Sequence, residues 1–567
     1  MIRQVPTVVA LTVVTYLLGG YQFGAWPQLF PLEHIQHLAG RLPGDWYTSH
    51  AAPHWCFDHL AALIPESSLP AAFAIGWVLA TLLFWFGFAA LAAQLGVPEL
   101  GILAAGVIGA RTFFSGFGTT SLLTPYLYPS QIATAFWMLA LVAALRGRTR
   151  TAGALAGVVL LVHPQVGVLA VLSLAAVLLA AEARRRIAGF VVAALIVGGF
   201  ALVRLVRDLG VSEPIAPALR FDLLAVVRLP HHLIYSMFPR REFAMVAVWL
   251  AVAGLAPAKP AFRARGAWAF LAAAGALCAA GAWASSRGAP LALVELQTAR
   301  MSAWVPLFAV LGSASSLTSW GAWGTLALLA TPALGETMWS GLKGGLPGLG
   351  LAGLPSATAQ APILAVMITL AALSRRRVAP AASPPESGVA GRESRRPPAS
   401  PKWLWIAAPV LLVAGFLAAG WRHPPVHRLD PEWIDIARRA GKLSRPGEVF
   451  LTPPDLDGFR FYSGRPIVCD FGNIAHDDLR GWSERMIAIT GDSAVVAPVP
   501  RLDVPDRIAR IAAAYDRNLA VAGAAIRRYG VAFVVARVPG ELPAVWAEPV
   551  ASNSQYVVYR VRRERLD

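Results

Sequence analysis

From Val5 to Gly420, apolar runs of about 16–25 residues alternate with short loops where Arg, Pro and Trp gather. A helix rises about 1.5 Å per residue and a bilayer core is about 30 Å thick, so runs of this length predict crossing helices. They fall over 5–22, 70–95, 98–112, 129–145, 151–163, 166–182, 187–205, 243–258, 267–285, 302–317, 319–333, 356–374 and 403–421. The expected fold is an α-helical polytopic membrane protein of about thirteen transmembrane helices. Beyond Trp421 the pattern breaks, and helix-like and strand-like stretches alternate at ordinary charge density. Helices are predicted near 431–440, 478–490 and 505–528, and strands at 448–451, 466–470, 531–536 and 556–561. That alternation predicts a small α/β domain over 422–567. The predicted organisation is thus a helical domain over 1–374 with a first outer loop at 23–69, a linker at 375–402, a last span at 403–421 and the α/β domain. The linker is rich in Pro, Ser, Gly and Arg, cannot bury apolar surface, and is expected to be disordered and cytoplasmic.

Composition strengthens the membrane reading. The 567 residues are 56% hydrophobic and 14% charged, with a mean hydropathy of +0.56. A formal net charge of +17 would suggest nucleic acid in a soluble chain, but here the arginines sit on short loops and report orientation. Arg146, Arg148 and Arg150, then Arg184, Arg185 and Arg186, then Lys259, Arg263 and Arg265, then Arg375, Arg376 and Arg377 all fall on one side of the predicted spans. That side is expected to be the cytoplasm of a bacterial inner membrane, with the N-terminus inside and the α/β domain extracytoplasmic. Thr151–Glu182 has arginines immediately before and after it, so two short helices meeting at His163-Pro164 and folding back keep both clusters on the same side. The first apolar run ends on Tyr21, Gln22 and Phe23 rather than a small-residue cleavage site, and reads as a retained span. Cys56 and Cys469 share a compartment, leaving open either a bridge between them or two unrelated thiols.

Candidate chemistry concentrates in the first outer loop, with Glu33, Asp45 and Asp58 and five of the eleven histidines, His34, His37, His50, His54 and His59. Apolar residues at helical spacing, Leu32, Ile35 and Leu38 and then Phe57, Leu60 and Ile64, predict two amphipathic helices on the membrane surface. A carboxylate there could act as a general base, or each acid could simply cap a helix on a solvated face. His34-x-x-His37 has no completing ligand, so no metal is expected, although a divalent cation stays open. The stretch 207–241 carries Arg207, Arg220, Arg228, Arg240 and Arg241 with His231 and His232 between them. Its guanidinium groups suit phosphate oxygens, or reach back to lipid headgroups. Arg300, close to Glu295 and Gln297, and His163 at the hairpin tip join this group of candidates, each with a plain structural contact as its alternative.

Several of these features resemble the membrane-embedded glycosyltransferases of the GT-C type, which include protein mannosyltransferases, aminoarabinose transferases and oligosaccharyltransferases. They are the first span with its large acidic outer loop, the shortened pair at His163-Pro164, the α/β domain after the last span, and Tyr529-Gly530-Val531-Ala532-Phe533-Val534-Val535. Pro43-Gly44-Asp45-Trp46-Tyr47, His163-Pro164, Phe459-Arg460 through Ser463-Gly464-Arg465-Pro466, and Trp482-Ser483-Glu484-Arg485 also make the chain similar to an uncharacterised family of bacterial polytopic membrane proteins with a C-terminal domain of unknown function. The GT-C resemblance implies sugar transfer from a polyprenyl-phosphate-linked donor to an acceptor at the outer face of the membrane. Glu33, Asp45 or Asp58 would serve as base, and Arg300, Arg240, Arg241, Arg228, His231, His232 and His163 would hold the lipid phosphate. The loop departs from that group in lacking an adjacent Asp-Glu or Asp-x-Asp pair. Two other readings stand beside it: a non-catalytic scaffold of the same fold, with Arg460, Arg465 and Glu484 as an ion network or binding face, and a transporter or flippase.

Overall fold

The computed structural model describes residues 4–50, 54–117, 120–180, 186–211, 215–255, 265–318, 323–334 (329, 332 and 333 excepted), 357–377, 407–414 (409 and 412 excepted), 429–499 and 502–566 (503 excepted). Most of the apolar stretches fold as helices, but their lengths overturn the expected many-span, GT-C-like architecture. Among the described residues three helices are long and apolar enough to cross a bilayer: Glu66–Gln94, Ile187–Arg204 and Arg265–Arg287. Val5–Gly19, Pro129–Leu145, Thr149–Val162 and Pro164–Ala180 are apolar but hold 14–17 residues, a reach of about 21–26 Å. Trp304–Leu317 is buried at all 14 positions. A helix apolar on every side fits a protein core as well as it fits lipid, and hydropathy registers the two alike. The expected linker beyond Arg377 and most of the expected last span lie outside the described residues, while 375–377 continue the Ala357–Arg377 helix.

Close glycine contacts set how the central helices run. A Cβ added at Gly153 would stand 2.2 Å from the carbonyl oxygen of Phe190, one at Gly157 2.7 Å from that of Ala194, and one at Gly198 2.5 Å from that of Gly157. The paired numbers rise together, so Thr149–Val162 and Ile187–Val211 pack in parallel with their backbones nearly touching. The Pro164–Ala180 helix between them must therefore run the other way, folding back at His163, whose backbone is extended at φ −151°. Gly266 packs against Leu145 and Val177, which brings Arg265 to the end where Arg146, Arg148, Arg150 and Arg186 gather. His163 lies at the opposite end.

At that opposite end sits a four-stranded open sheet in the order β1-β2-β4-β3, from Val449–Leu451 (β1), Val531–Arg537 (β2), Ala547–Ser552 (β3) and Tyr556–Val561 (β4). β1 pairs with β2 in parallel and the other pairs are antiparallel. Alternation along β2 sends Phe533 and Val535 to one face, beneath Trp433 and Ile436, and Val534 and Ala536 to the other, beneath Trp482, Ile511 and Tyr515. Asp430 and Asp478 cap the Pro431–Leu443 and Leu479–Thr490 helices by accepting from Glu432 N at 3.0 Å and Gly481 N at 2.8 Å. Three differences from the sequence reading stand out. The expected strand 466–470 contributes only an isolated bridge, Phe450 to Ile467. The helix expected over 505–528 breaks after Asn518. β3, with Glu548 and Pro549 exposed along it, carries no alternation to betray it. Leu223, Leu224 and Val227 of the helical body share one core with Val468, Phe471 and Trp482, so the sheet-bearing unit is packed onto that body.

Substituting Gly153→Val should push the two parallel helices apart and cost about 1–3 kcal/mol, read as a lowered thermal midpoint of the full chain in detergent. Gly275→Ala, where an added Cβ meets nothing within 4 Å, should leave that midpoint in place.

Candidate functional site

The segment 23–69 begins with the Trp26–Leu38 helix, started by Pro27 in its first turn. Its acid and its first histidine do not face water. Leu29, Leu32 and Ile35 are buried, and so are Gln28, Glu33, His34 and Gln36, because the sheet-bearing unit covers the side that would otherwise face water. Gln36 donates to the carbonyl of Phe461 at 3.0 Å, and Trp26 donates from its indole to Asp457.

A buried ionic cluster closes this junction. Arg460, on the short Phe459–Ser463 helix, is fully buried. Its Nε donates to Asp45 Oδ2 at 2.8 Å and its Nη1 to Asp470 Oδ2 at 2.5 Å, with Glu33 Oε2 3.6 Å away. Asn473 Nδ2 donates to Glu33 Oε2 at 2.8 Å and to Asp470 Oδ2 at 2.9 Å. Asp45 also accepts from Thr48 N at 2.9 Å and Ile467 N at 3.2 Å. Three carboxyl groups around one guanidinium cannot all be charged cheaply in a dry interior. Burial drives Glu33 well above the usual carboxylate range, against the pull of Arg460, and also raises Asp470. Asp457 is pushed up to about 7, first by burial and then by the charge of Asp470.

Beside the cluster is a cavity of about 160 Å³ whose walls come from far-apart stretches of the chain. The segment 23–69 supplies His34, Tyr47, His50, His54 and Asp58, and the hairpin tip supplies His163. Arg228 arrives at the end of a π-helical turn, Asp222–Arg228, and donates from Nε to Gly472 O at 3.1 Å. Arg300 follows Gln297, whose backbone is left-handed at φ 53°, and its Nε donates to Gln297 Oε1 at 2.7 Å. The α/β unit contributes His476. Asp58 is buried with no hydrogen-bond partner on either carboxyl oxygen, and burial alone raises it well above the usual range, so it is held protonated. Burial lowers His34 to about 4 and His54 to about 3, so both rings are neutral. His54 lies edge-on to His163, with ring centroids 4.7 Å apart. The cavity thus combines two guanidinium cations with neutral His34, His54 and Asp58 side chains.

The structure brings together Asp58, Arg228, Arg300, His163 and His232 of the sequence candidates, and sets Glu33 and Asp45 in the adjoining ionic cluster. Arg240 and Arg241 are exposed at the start of the Arg240–Leu255 helix, away from the cavity lining. The side chain of His231 lies outside the described residues. Glu295, a suggested partner of Arg300, instead pairs with Arg220, whose Nε is 2.6 Å from Oε1. Asp470, Asn473, Tyr128 and His476 carried no sequence signal. A larger open groove of about 470 Å³, between Tyr21–Ala25 and Pro431–Arg438, holds none of the candidates. Cys56, Cys278 and Cys469 are all free thiols.

Residues 431–489 match a domain of unknown function, DUF6798. A comparison with curated proteins finds no match. The matched segment holds Asp457, Arg460, Asp470, Asn473 and His476, so it carries the α/β side of both the ionic cluster and the cavity. These findings correct the expected membership of a many-span family and the expected GT-C glycosyltransferase activity. Among the described residues three span-length helices stand where about thirteen were expected, and the family match brings no sugar-transfer chemistry. Among the described residues, no group of three or more His, Cys, Asp or Glu is arranged to hold a metal ion.

Two outcomes test the cluster. Arg460→Met leaves buried carboxyl groups uncompensated and should cost about 3–5 kcal/mol, seen as rapid proteolytic release of the α/β unit from the full chain. Glu33, Asp457 and Asp470 all have raised folded-state values, so their contribution is complete below the unfolded carboxylate range and is lost as pH rises through each raised value, which for Asp457 is about 7. The thermal midpoint should therefore fall between about pH 5 and about pH 8.5, and Asp457→Asn should flatten that fall.

Proposed function

We propose that this is a membrane-associated protein that binds a small anionic ligand in the cavity between its helical body and its α/β unit. The observation that carries the reading is the convergence of Arg228 and Arg300 on a cavity whose buried acid, Asp58, and buried histidines, His34 and His54, are uncharged. The field inside is positive, and a phosphate or carboxylate group would meet guanidinium donors beside a protonated carboxyl that can also donate. A volume of about 160 Å³ is well below the roughly 300–1,000 Å³ of sites for drug-sized molecules, so the occupant is small. In this reading Glu33 and Asp45 are positioning residues. They hold the α/β unit, and with it Gly472 and His476, against the cavity. The three span-length helices set the protein in a membrane. The arginine-rich end, with the N-terminus, faces the cytoplasm, and the cavity and α/β unit face the other side.

Titration of the full chain in detergent with inorganic phosphate or malonate should register saturable binding of one anion. Arg300→Met should weaken it at least about tenfold, while Asp58→Asn, which keeps a neutral side chain of the same shape, should leave it nearly unchanged. Equal affinity in wild type and Arg300→Met would remove the cavity from consideration.

A further inference from the structure

The end of the helical body opposite the cavity carries cations that the anion site does not use. Arg148 and Arg150 come from the start of the Thr149–Val162 helix and the turn before it, and Arg186 from the residue before the Ile187–Val211 helix. Parallel packing of those helices through Gly153 and Gly157 brings the three arginines together. Arg186 Nη1 lies 4.0 Å from the point where a Cβ on Gly147 would stand, and Arg150 Cγ and Nε lie 3.7 and 3.9 Å from the corresponding point on Gly189. All three are exposed, and among the described residues none is paired with a carboxylate. Arg146, beside them, is engaged with Gln94 at 3.4 Å. Like charges gathered at one end of the helical body are relieved by an anion, and a guanidinium fork suits the paired oxygens of a phosphate.

A second observation says which phosphate. Running away from Arg186, the Ile187–Val211 helix exposes Val192, Leu195, Ile196 and Phe200, with Ile196 79% exposed. Among the described residues this is one of three helices long and apolar enough to span a bilayer, and only 22% of its span is buried in protein. Cations at the head of a bare apolar flank match a molecule that joins a phosphate to acyl chains.

We infer that this end of the protein is a binding site for an anionic phospholipid, with Arg148, Arg150 and Arg186 on the headgroup phosphate and Val192, Leu195, Ile196 and Phe200 against the acyl chains. Each arginine near an anionic headgroup is worth roughly a fivefold preference, so the site selects phosphatidylglycerol over phosphatidylcholine by tenfold or more. The inference does not depend on the anion reading of the cavity.

The test uses the full chain extracted from nanodiscs of equal phosphatidylglycerol and phosphatidylcholine, with retained lipids counted by native mass spectrometry. Wild type should keep phosphatidylglycerol preferentially, and Arg148→Gln/Arg150→Gln/Arg186→Gln should keep the two lipids equally at an unchanged thermal midpoint. If that variant fails to fold, the single exposed Arg148→Gln should still lower the preference severalfold. Two results overturn the inference: a folded variant with the wild-type preference, or release of the lipid from wild type by an equal concentration of inorganic phosphate, which would make this a free-anion site.

Discussion

One buried guanidinium determines how the two parts of this molecule meet. Arg460 has given up its hydration entirely, a loss of several kcal/mol that only well-aligned acceptors can offset. Those acceptors come from both sides of the junction: Asp45 from the loop after the first helix and Asp470 from the same unit as Arg460 itself, with the Glu33 carboxyl 3.6 Å away. Apolar packing alone would tolerate sliding between the loop and the sheet-bearing unit. The Arg460–Asp45 pair and the Asn473–Glu33 hydrogen bond, each at 2.8 Å across the junction, do not, so they fix its register.

That fixed register builds the neighbouring cavity. His34 is the residue after Glu33, and Tyr47 lies two after Asp45 and beneath the Arg460 guanidinium, 5.2 Å from its ring centroid. Gly472 and His476 flank Asn473 on the other side. Each wall of the cavity is therefore tied to a member of the cluster by a few residues of backbone. The division of labour follows from charge. The cluster neutralises itself by pairing and proton uptake, whereas the cavity keeps its cations, Arg228 and Arg300, next to groups that burial has rendered neutral.

How much of this was legible in the sequence depended on the range of the interaction concerned. The apolar run at 129–145 coincides with the helix Pro129–Leu145, and the β-branched run at 531–536 with β2, because helix ends and strand alternation are local. What such a run does was not legible. Pro129–Leu145 is too short to be counted among the span-length helices, and Trp304–Leu317 is apolar because it is core. In the site, Asp58, Arg228, His163 and Arg300 were singled out for their residue type and do converge. The fate of Glu33 and Asp45 was hidden, since their partners Asn473 and Arg460 lie 440 and 415 residues further on. No periodicity spans such a distance. A suspected role for Arg460 in an ion network named Arg465 and Glu484 as its companions, yet Arg465 bonds to Ser444 and Gly441 and Glu484 pairs with Arg528.

The same separation has a temporal side. A ribosome adds about 5–20 residues per second, so roughly 20–80 s pass between the emergence of Asp45 and that of the arginine that will bind it. Throughout that interval the helical body is already being assembled while its acidic loop stays hydrated and uncovered. Chain completion is thus coupled to pairing in the interior: a chain cut short before Arg460 would lack the cation that Asp45 pairs with.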